Sequence, residues 1–334
     1  MTLDYGKTRV CVDVYGGDKG PQVVLDGVER ALAEDPELEV VLTGRDETVT
    51  PFASSHDRVE AVATTEVIEM GEHPANAVRK KKDSSIVVGC RLVREGRAQG
   101  FFSAGSTGAC MSAATLVMGR IPGIKRPALV SVIPALKQQV LLSDCGANAD
   151  CKPEYLVQFA QMNAIYAHAV LGRQKVRVGL LNIGSEDTKG STAAQEAFTL
   201  LREQVPEFVG NCEGNDIMTG EFDVVVADGF TGNVALKTLE GTAKSVFKLL
   251  KGAMTSSLKN KIGALLLKGS IKELAGTMSS DAVGGAPLLG LKGICIIGHG
   301  SSGPVAVANG IHATSAAIHA DVVGLIASAV SEQQ

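Results

Sequence analysis

Short hydrophobic runs alternate with stretches of helical periodicity along the whole chain. Runs bounded by Gly-containing turns predict β-strands, and they lie at residues 10–14, 40–43, 100–103, 129–133, 140–144, 176–183, 222–227 and 294–298. Helices are predicted between them, from about residue 21 to 34, in the unit that begins at 85–89, and along an Ala-rich segment from the last strand to the C-terminus. The runs at 129–133 and 140–144 are expected to pair around Pro134.

This alternation is typical of a largely parallel sheet that carries helices on both faces. Most crossovers between successive strands are then right-handed. We expect a three-layer α/β/α fold with a Rossmann-like sheet, forming one domain over residues 1–334.

The segment from residue 241 to 272 differs from the rest because it contains seven lysines and no acidic residue. Its apolar residues recur at three- and four-residue spacings, which is the period of an amphipathic helix. The sequence therefore predicts a basic amphipathic helical hairpin over 241–275, inserted into the alternating pattern. Gly252, or the turn that begins at Thr255, is the expected break.

Composition and charge exclude several classes of protein. The 334 residues include 32 basic and 36 acidic ones, a net charge of −4, which argues against general nucleic-acid binding. A hydrophobic content of 45% excludes a wholly disordered chain. The seven cysteines contain no C-x-x-C, which favours a reducing, cytoplasmic compartment over a disulfide framework or zinc ribbon. We expect no signal peptide and no membrane-spanning run.

Candidate chemistry lies in the loops that follow the predicted strands, which are rich in Gly, Ser, Thr and Asn. Ligands bind at the carboxyl ends of strands in such sheets, and Gly lets the backbone approach an anion closely. Each loop alone resembles an ordinary turn, but six together predict a pocket for an anionic ligand; they are 13–18, 103–108, 144–148, 182–190, 228–233 and 298–302. None carries a dinucleotide fingerprint, a P-loop, a nucleophile elbow or a zinc motif.

Taken in order, these loops and their neighbours resemble the bacterial phosphate acyltransferase family, which is also called phosphate:acyl-acyl-carrier-protein acyltransferase. The matching segments span nearly the whole chain, and they are 13–18, 83–86, 103–108, 119–128, 144–153, 178–184, 228–238, 284–290 and 299–302. The resemblance implies a fold similar to that of phosphate acetyltransferases and isopropylmalate-dehydrogenase-like enzymes.

The resemblance also implies a reaction. Inorganic phosphate attacks the thioester of a long-chain acyl-[acyl carrier protein], and the products are an acyl phosphate for phospholipid synthesis and the free carrier. No metal or organic cofactor is expected. The family further implies a homodimer that associates peripherally with the inner face of the cell membrane, with the downstream glycerol-phosphate acyltransferase as a partner.

The resemblance implies that Lys189 and Asn233 are the catalytic residues. Lys189 would bind phosphate or balance the developing charge, and the Asn233 amide would donate to phosphate or to the oxyanion. A solvated loop cation is the alternative for Lys189, and a helix N-cap is the alternative for Asn233. The other predicted phosphate-binding residues all lie in Gly-rich loops; they are Asp13, Gly16, Gly17, Gly105, Ser106, Thr107, Gly108 and Asn148.

Several further positions carry weaker expectations. Ser106 and Gly303 depart from the family, which more often has Asn at both. His299 is a candidate proton donor to the leaving thiolate, but a buried, structural histidine is the favoured interpretation. Cys145 and Cys151 are interpreted as packing residues, because direct attack by phosphate needs no covalent nucleophile.

Two basic segments are candidates for macromolecular contacts. Residues 79–82, with Arg91, Arg94 and Arg97, are a candidate docking surface for the acidic carrier protein. The 241–272 segment suits a membrane surface better. Its predicted membrane-contacting residues are Phe247, Leu258, Ile262 and Leu265. The alternative for this segment is a dimer-interface helix pair with an exposed lysine face.

Three other functions stay open at this point. One is a short-chain phosphate acyltransferase that acts on coenzyme A thioesters, and another is a non-catalytic acyl-chain binding protein. A dehydrogenase rests on fold analogy alone and lacks the nucleotide fingerprint.

Overall fold

A computed structural model of the protein describes residues 7–277 and 283–332. Among these residues, eleven strands form one sheet. The strands are β1 Thr8–Asp13, β2 Leu38–Gly44, β3 Val59–Ala63, β4 Gly100–Ser103, β5 Ala128–Pro134, β6 Gln139–Ser143, β7 Val178–Leu181, β8 Phe208–Cys212, β9 Val224–Val226, β10 Ala286–Leu289 and β11 Ile294–Ile297. Their order across the sheet is β3-β2-β1-β4-β11-β10-β5-β6-β9-β7-β8.

Helices connect most of these strands. They are α1 Pro21–Glu34, α2 Asp46–Ser54, α3 Pro74–Lys80, α4 Ser85–Arg94, α5 Thr107–Ala113, α6 Pro153–Ala169, α7 Thr192–Gln204, α8 Gly229–Thr255, α9 Leu258–Thr277, α10 Pro304–His319 and α11 Val322–Ser331. A π-helical turn, Ala114–Met118, prolongs α5, and a short 3₁₀ turn, Asp216–Met218, precedes β9.

The helices cover both faces of the sheet, because successive side chains of a strand point to opposite faces. In β1, Val10 and Val12 enter a core that contains residues of α1, α6 and α10. Cys11 lies between them and enters the opposite core, with residues of α3, α4 and α5. The predicted three-layer architecture is confirmed.

The sheet consists of two parallel groups that run in opposite directions. The strands β3-β2-β1-β4-β11 form one group, and β6-β9-β7-β8 form the other. Between them, β10 and β5 each run antiparallel to both of their neighbours. The sheet is therefore largely parallel, as predicted, but it changes direction at its centre.

The register brings the carboxyl ends of both groups to the same level. Ile297 ends β11 and pairs with Ala286 of β10, whereas Ser143 ends β6 and pairs with Val130 of β5. The register between β10 and β5 places Ala286 and Val130 within one residue of each other along the sheet. Loops that leave the two groups in opposite directions therefore meet over the central strands, where α/β sheets bind ligands.

Three strands, β3, β8 and β10, were not predicted from the sequence, and the structure shows why. Both β3 and β8 are edge strands. The residues of β3 are mostly half-buried, and β8 contains Gly210 and Asn211, so neither strand has a strong hydrophobic pattern. The central strand β10 contains Pro287, a residue that argues against a strand when the sequence alone is considered.

The predicted basic hairpin corresponds to α8 and α9, but α8 begins well before residue 241. It starts at Gly229, directly after β9, and the Asp228 side chain caps it by accepting a hydrogen bond from the Thr231 N–H at 2.8 Å. Gly252 lies inside α8, and the break falls at residues 256–257. The segment is therefore an extension of an ordinary crossover helix rather than a separate insertion.

The prediction of a single Ala-rich helix at the C-terminus is wrong, because the structure has two helices there, α10 and α11. The chain turns at Asp321, which has a left-handed φ of 47° and whose carboxylate accepts a hydrogen bond from the Gly324 N–H at 3.2 Å. Among the described residues, no single helix is long and apolar enough to cross a bilayer; α10 and α11 reach that length and composition only as a pair bent by 45°.

Candidate functional site

A cleft of about 580 Å³ opens over the central strands, between α5 and α8. The loops after β4, β6 and β11 meet there, as the register requires. Polar side chains and glycine backbone line one part of the cleft; they belong to Asp18, Gly105, Thr107, Gly108, Ser131, Gly146, Asn233, Lys237, Glu240, His299 and Ser302. Met70, Met111, Leu129, Val132 and Leu236 form an apolar wall.

A buried carboxylate shapes the loop after β4. Asp13 accepts a hydrogen bond from the Ser103 hydroxyl at 2.7 Å and one from the Tyr15 N–H at 3.0 Å. The Ser103 oxygen in turn accepts from the Gly105 N–H at 3.0 Å. Burial raises the pKa of Asp13, and hydrogen bonds from Ser85 and Ser103 oppose that rise. Asp13 lies beneath the cleft, so its geometry indicates a positioning role.

The glycines of the first loop also lie beneath the cleft rather than along it. A Cβ on Gly16 would stand 2.7 Å from the Gly105 nitrogen and 2.8 Å from the Ser103 hydroxyl oxygen. Only glycine lets the loop after β1 pack this closely under the loop after β4. Gly17 likewise packs beside Ala104. Both glycines support the loop that lines the cleft.

The loop after β4 supplies three of the predicted phosphate-binding residues to the cleft: Gly105, Thr107 and Gly108. Ser106 instead caps α5, since its hydroxyl accepts from the Ala109 N–H at 3.5 Å. Ser106 is half-buried and is not among the residues that line the cleft.

Asn148 is engaged inside the protein. Its side-chain amide donates to the Pro127 carbonyl at 2.8 Å and to the Asp144 carboxylate at 2.9 Å. The same carboxylate also accepts hydrogen bonds from the backbone N–H groups of Asn148 and Leu129. Burial raises the pKa of Asp144, and these hydrogen bonds oppose the rise. The geometry therefore links Asn148 to the structure of the loop after β6.

Asn233 lines the cleft on the second turn of α8. Its side chain is exposed, and the structure gives it no hydrogen bond to another described residue. Because Asp228 caps α8, the alternative interpretation of Asn233 as the N-cap does not match the structure. The amide is free to donate to a ligand.

The structure does not bring Lys189 to Asn233. Lys189 lies in the loop after β7, outside the cleft, and its exposed ammonium is 3.8 Å from the Glu186 carboxylate. The lysine that does line the cleft is Lys237, and its Nζ is 3.0 Å from the Glu240 carboxylate. Lys237 was missed, although its spacing of four residues from Asn233 places both on one face of a helix.

The remaining candidates divide between the cleft and the core. His299 was expected to be buried, and that expectation was wrong: the ring is exposed in the cleft, with Nδ1 2.8 Å from the Ser301 hydroxyl. Burial raises the pKa of Cys145 to about 12 and that of Cys151 to about 11. Both thiols are protonated at neutral pH, which makes them poor nucleophiles.

Among the side chains that the structure describes, no group of three or more His, Cys, Asp or Glu is arranged to hold a metal ion. The cleft instead combines backbone N–H groups, a hydroxyl, an amide and an ammonium with an apolar wall. Such a set can bind an oxyanion and place it beside an uncharged chain.

The chain is similar in sequence to known proteins. A family model described as "Fatty acid synthesis protein" matches residues 8–325. The chain is 50% identical to the phosphate acyltransferase of Desulfitobacterium hafniense (strain Y51) over 307 residues, which cover 91% of each chain. It is 44% identical to the phosphate acyltransferase of Bacillus pumilus (strain SAFR-032) over 326 residues, covering 97% of this chain and 98% of that one.

Among solved structures, a phosphotransacetylase from Streptococcus pyogenes superposes with a TM-score of 0.60. Its sequence identity is 18%, and the match covers 94% of this chain and 95% of that chain. At this identity the likeness concerns the fold alone.

Proposed function

Because the chain belongs to the fatty acid synthesis protein family and is a phosphate acyltransferase of lipid synthesis, we propose that its acyl donor is a long-chain acyl-[acyl carrier protein]. The products are an acyl phosphate and the free carrier. The observation that carries the proposal is the cleft, where Thr107 and its glycine neighbours face Asn233 and Lys237 beside an apolar wall.

The reaction needs orientation more than it needs an activated protein nucleophile. A phosphate oxygen attacks the thioester carbonyl carbon, the C–O bond forms, and the carbonyl oxygen becomes an oxyanion. Collapse of this intermediate breaks the C–S bond, and the released thiolate takes up the proton that phosphate loses. The Gly105 N–H is already bonded to the Ser103 hydroxyl, so we assign phosphate binding to the Gly108 N–H and Thr107, which line the cleft. Asn233 would donate to the oxyanion.

The apolar wall supports a hydrocarbon substrate. Met70, Met111 and Leu236 lie on the same cleft as the polar groups. Methionine side chains adapt to irregular apolar ligands because they are unbranched and flexible. An acyl chain along this wall would direct its thioester toward Asn233.

Thiol release from palmitoyl-[acyl carrier protein], measured with and without inorganic phosphate, tests the proposed function. Release that requires phosphate is the expected result. Faster turnover of a short-chain acyl-coenzyme A than of palmitoyl-[acyl carrier protein] would support the short-chain coenzyme A alternative, and acyl binding without turnover would support a binding protein. Release that ignores phosphate would indicate a thioesterase.

Replacing Lys237 with Met is expected to raise the KM for phosphate by about 10- to 100-fold, because a hydrogen bond to a charged group contributes roughly 1.5–3 kcal/mol. Initial rates at varied phosphate concentration measure this effect. Lys189→Met is expected to change the KM for phosphate by less than about twofold, since Lys189 lies outside the cleft.

Lys244→Met is the matched control, because Lys244 is exposed on the same helix but does not line the cleft. A large effect of Lys189→Met together with no effect of Lys237→Met would return the phosphate-binding role to Lys189.

We also propose that the protein is cytoplasmic and lies on the inner face of the cell membrane through α8 and α9. The predicted contact residues Leu258, Ile262 and Leu265 are 77%, 58% and 70% exposed, whereas Phe247 is half-buried. Exposed apolar groups of this size mark an interaction surface, and lysines beside them suit anionic lipid. Burial of the same face in the expected homodimer is the alternative.

The double change Leu258→Glu and Ile262→Glu is expected to reduce binding to anionic vesicles at least about tenfold, because charge and lost apolar area both weaken insertion. Vesicle flotation measures the bound fraction. Leu136→Glu with Ile183→Glu is the control, since these residues are 86% and 81% exposed elsewhere on the surface. Unchanged flotation with a dimer converted to monomer would assign the face to the dimer interface instead.

A further inference from the structure

A second cavity, of about 460 Å³, opens on the surface beside the loop formed by residues 119–126, here called the basic loop. Arg120, Lys125 and Arg126 line it together with Tyr155 of α6. All three cationic side chains are exposed. A fourth exposed cation, Lys292, packs beside Gly119.

Among the side chains that the structure describes, which exclude those of 272–275, none of these four cations joins an ion pair. The basic patch that the sequence predicts as a docking surface, residues 79–82 with Arg91, Arg94 and Arg97, does form ion pairs. Lys81 pairs with Glu72, Arg94 with Glu95, and Arg97 with Glu60. Three of the seven cations of that patch are therefore neutralised, whereas none of the four cations beside the 119–126 cavity has a carboxylate within ion-pair distance among the described side chains.

The basic loop is held in place from its inner side. The Ile121 N–H donates to the Gly290 carbonyl at 3.1 Å, and the Lys125 N–H donates to the Gln158 side chain at 2.9 Å. Gln158 donates back to the Gly123 carbonyl at 3.0 Å. Ile121 and Ile124 are buried beneath the loop. A partner would therefore meet cations on a backbone that is already ordered, which lowers the entropy lost on binding.

The basic loop also lies close to the catalytic cleft. Leu129 lines the cleft and follows Arg126 by three residues. Three residues span at most about 11 Å even when fully extended. The Pro127 carbonyl between them is held by the Asn148 amide. A partner bound to the basic loop would be positioned at one side of the cleft.

We propose that the basic loop is the docking surface for the acidic face of the acyl carrier protein. This inference rests on the proposed function, because it assigns a place to that acyl donor. Exposed cations attract an acidic partner over several ångströms and keep their solvation until contact, so they raise the association rate. An anionic small molecule, such as free phosphate, is the competing occupant of the same cavity.

The test uses the full-length enzyme with the double change Lys125→Glu and Arg126→Glu. We expect the KM for acyl-[acyl carrier protein] to rise at least about tenfold, with kcat and the KM for phosphate nearly unchanged. Turnover of palmitoyl-pantetheine, which carries no protein, should be unaffected, and the salt dependence of carrier binding should become weaker. Arg79→Glu with Lys80→Glu is the matched control, since it makes the same charge change on exposed α3 residues.

Binding of apo-acyl carrier protein, which has no thioester, is measured in parallel by titration calorimetry. Wild-type binding that the double change abolishes supports docking even if thiol release fails and the proposed function falls. Unchanged carrier KM and binding, or a loss only in the Arg79/Lys80 control, would overturn the docking proposal while leaving the function intact. A rise in phosphate KM with both donors would overturn it in favour of a phosphate site. If the double variant does not fold, Lys125→Gln and Arg126→Gln tested singly replace it.

Discussion

Replacing Asn233 with Ala is expected to lower kcat by about 100- to 1,000-fold, the effect of removing one donor from an oxyanion site. Asn233 lines the cleft next to Gly146, and the structure gives its side chain no hydrogen bond within residues 7–277 and 283–332. The amide therefore contributes little to the folded state, and its removal should act on the transition state. Steady-state phosphate-dependent thiol release measures the loss, and thermal unfolding should show a nearly unchanged midpoint.

Asn215→Ala provides the matched control, because Asn215 is exposed and lies outside the cleft. It should leave both turnover and the unfolding midpoint unchanged. Asn148→Ala should instead lower the midpoint, since the Asn148 amide bridges the Pro127 carbonyl and Asp144. Full turnover by a folded Asn233→Ala enzyme would remove this residue from the mechanism.

Replacing Gly232 with Ala is expected to destabilise the protein by about 1–3 kcal/mol or more, the range for overpacking a well-packed site. A Cβ there would stand 2.0 Å from the Asp144 carbonyl oxygen and 3.1 Å from its carbon. Both atoms are backbone, so no side-chain rotation relieves the contact, and α8 must move. Because α8 carries Asn233 and Lys237, turnover should fall with stability. Denaturant unfolding and thiol release measure the two effects.

Gly241→Ala on the same helix is the control of opposite sign. No neighbouring atom lies within 4 Å of a Cβ built at Gly241. The substitution should stabilise α8 by about 0.5–1 kcal/mol, because alanine loses less backbone entropy in a helix. If Gly232→Ala unfolds at the wild-type midpoint with full turnover, the close packing of α8 on Asp144 is not present in solution.

Much of the candidate site could be predicted from loops that follow strong strands. Gly-rich loops after β-branched runs mark the binding edge of a parallel sheet, and this pattern predicts Asn233, Gly105, Thr107 and Gly108, which all line the cleft. Lys237 was missed because it lies a full helical turn beyond its loop, where an exposed lysine is the ordinary expectation. Lys189 has the right chemistry, but the structure places it outside the cleft.

The pattern of residues by itself determined the alternation of strands and helices, the three layers and the basic helical pair, since these depend on local periodicity. The tertiary structure alone decided that β10, despite Pro287, joins the centre of the sheet, and that the two parallel groups run in opposite directions. Strand direction and register depend on contacts between residues far apart in the chain, and local periodicity carries no information about them. They bring the loops after β4, β6 and β11 over one cleft, and they leave Lys189 outside it.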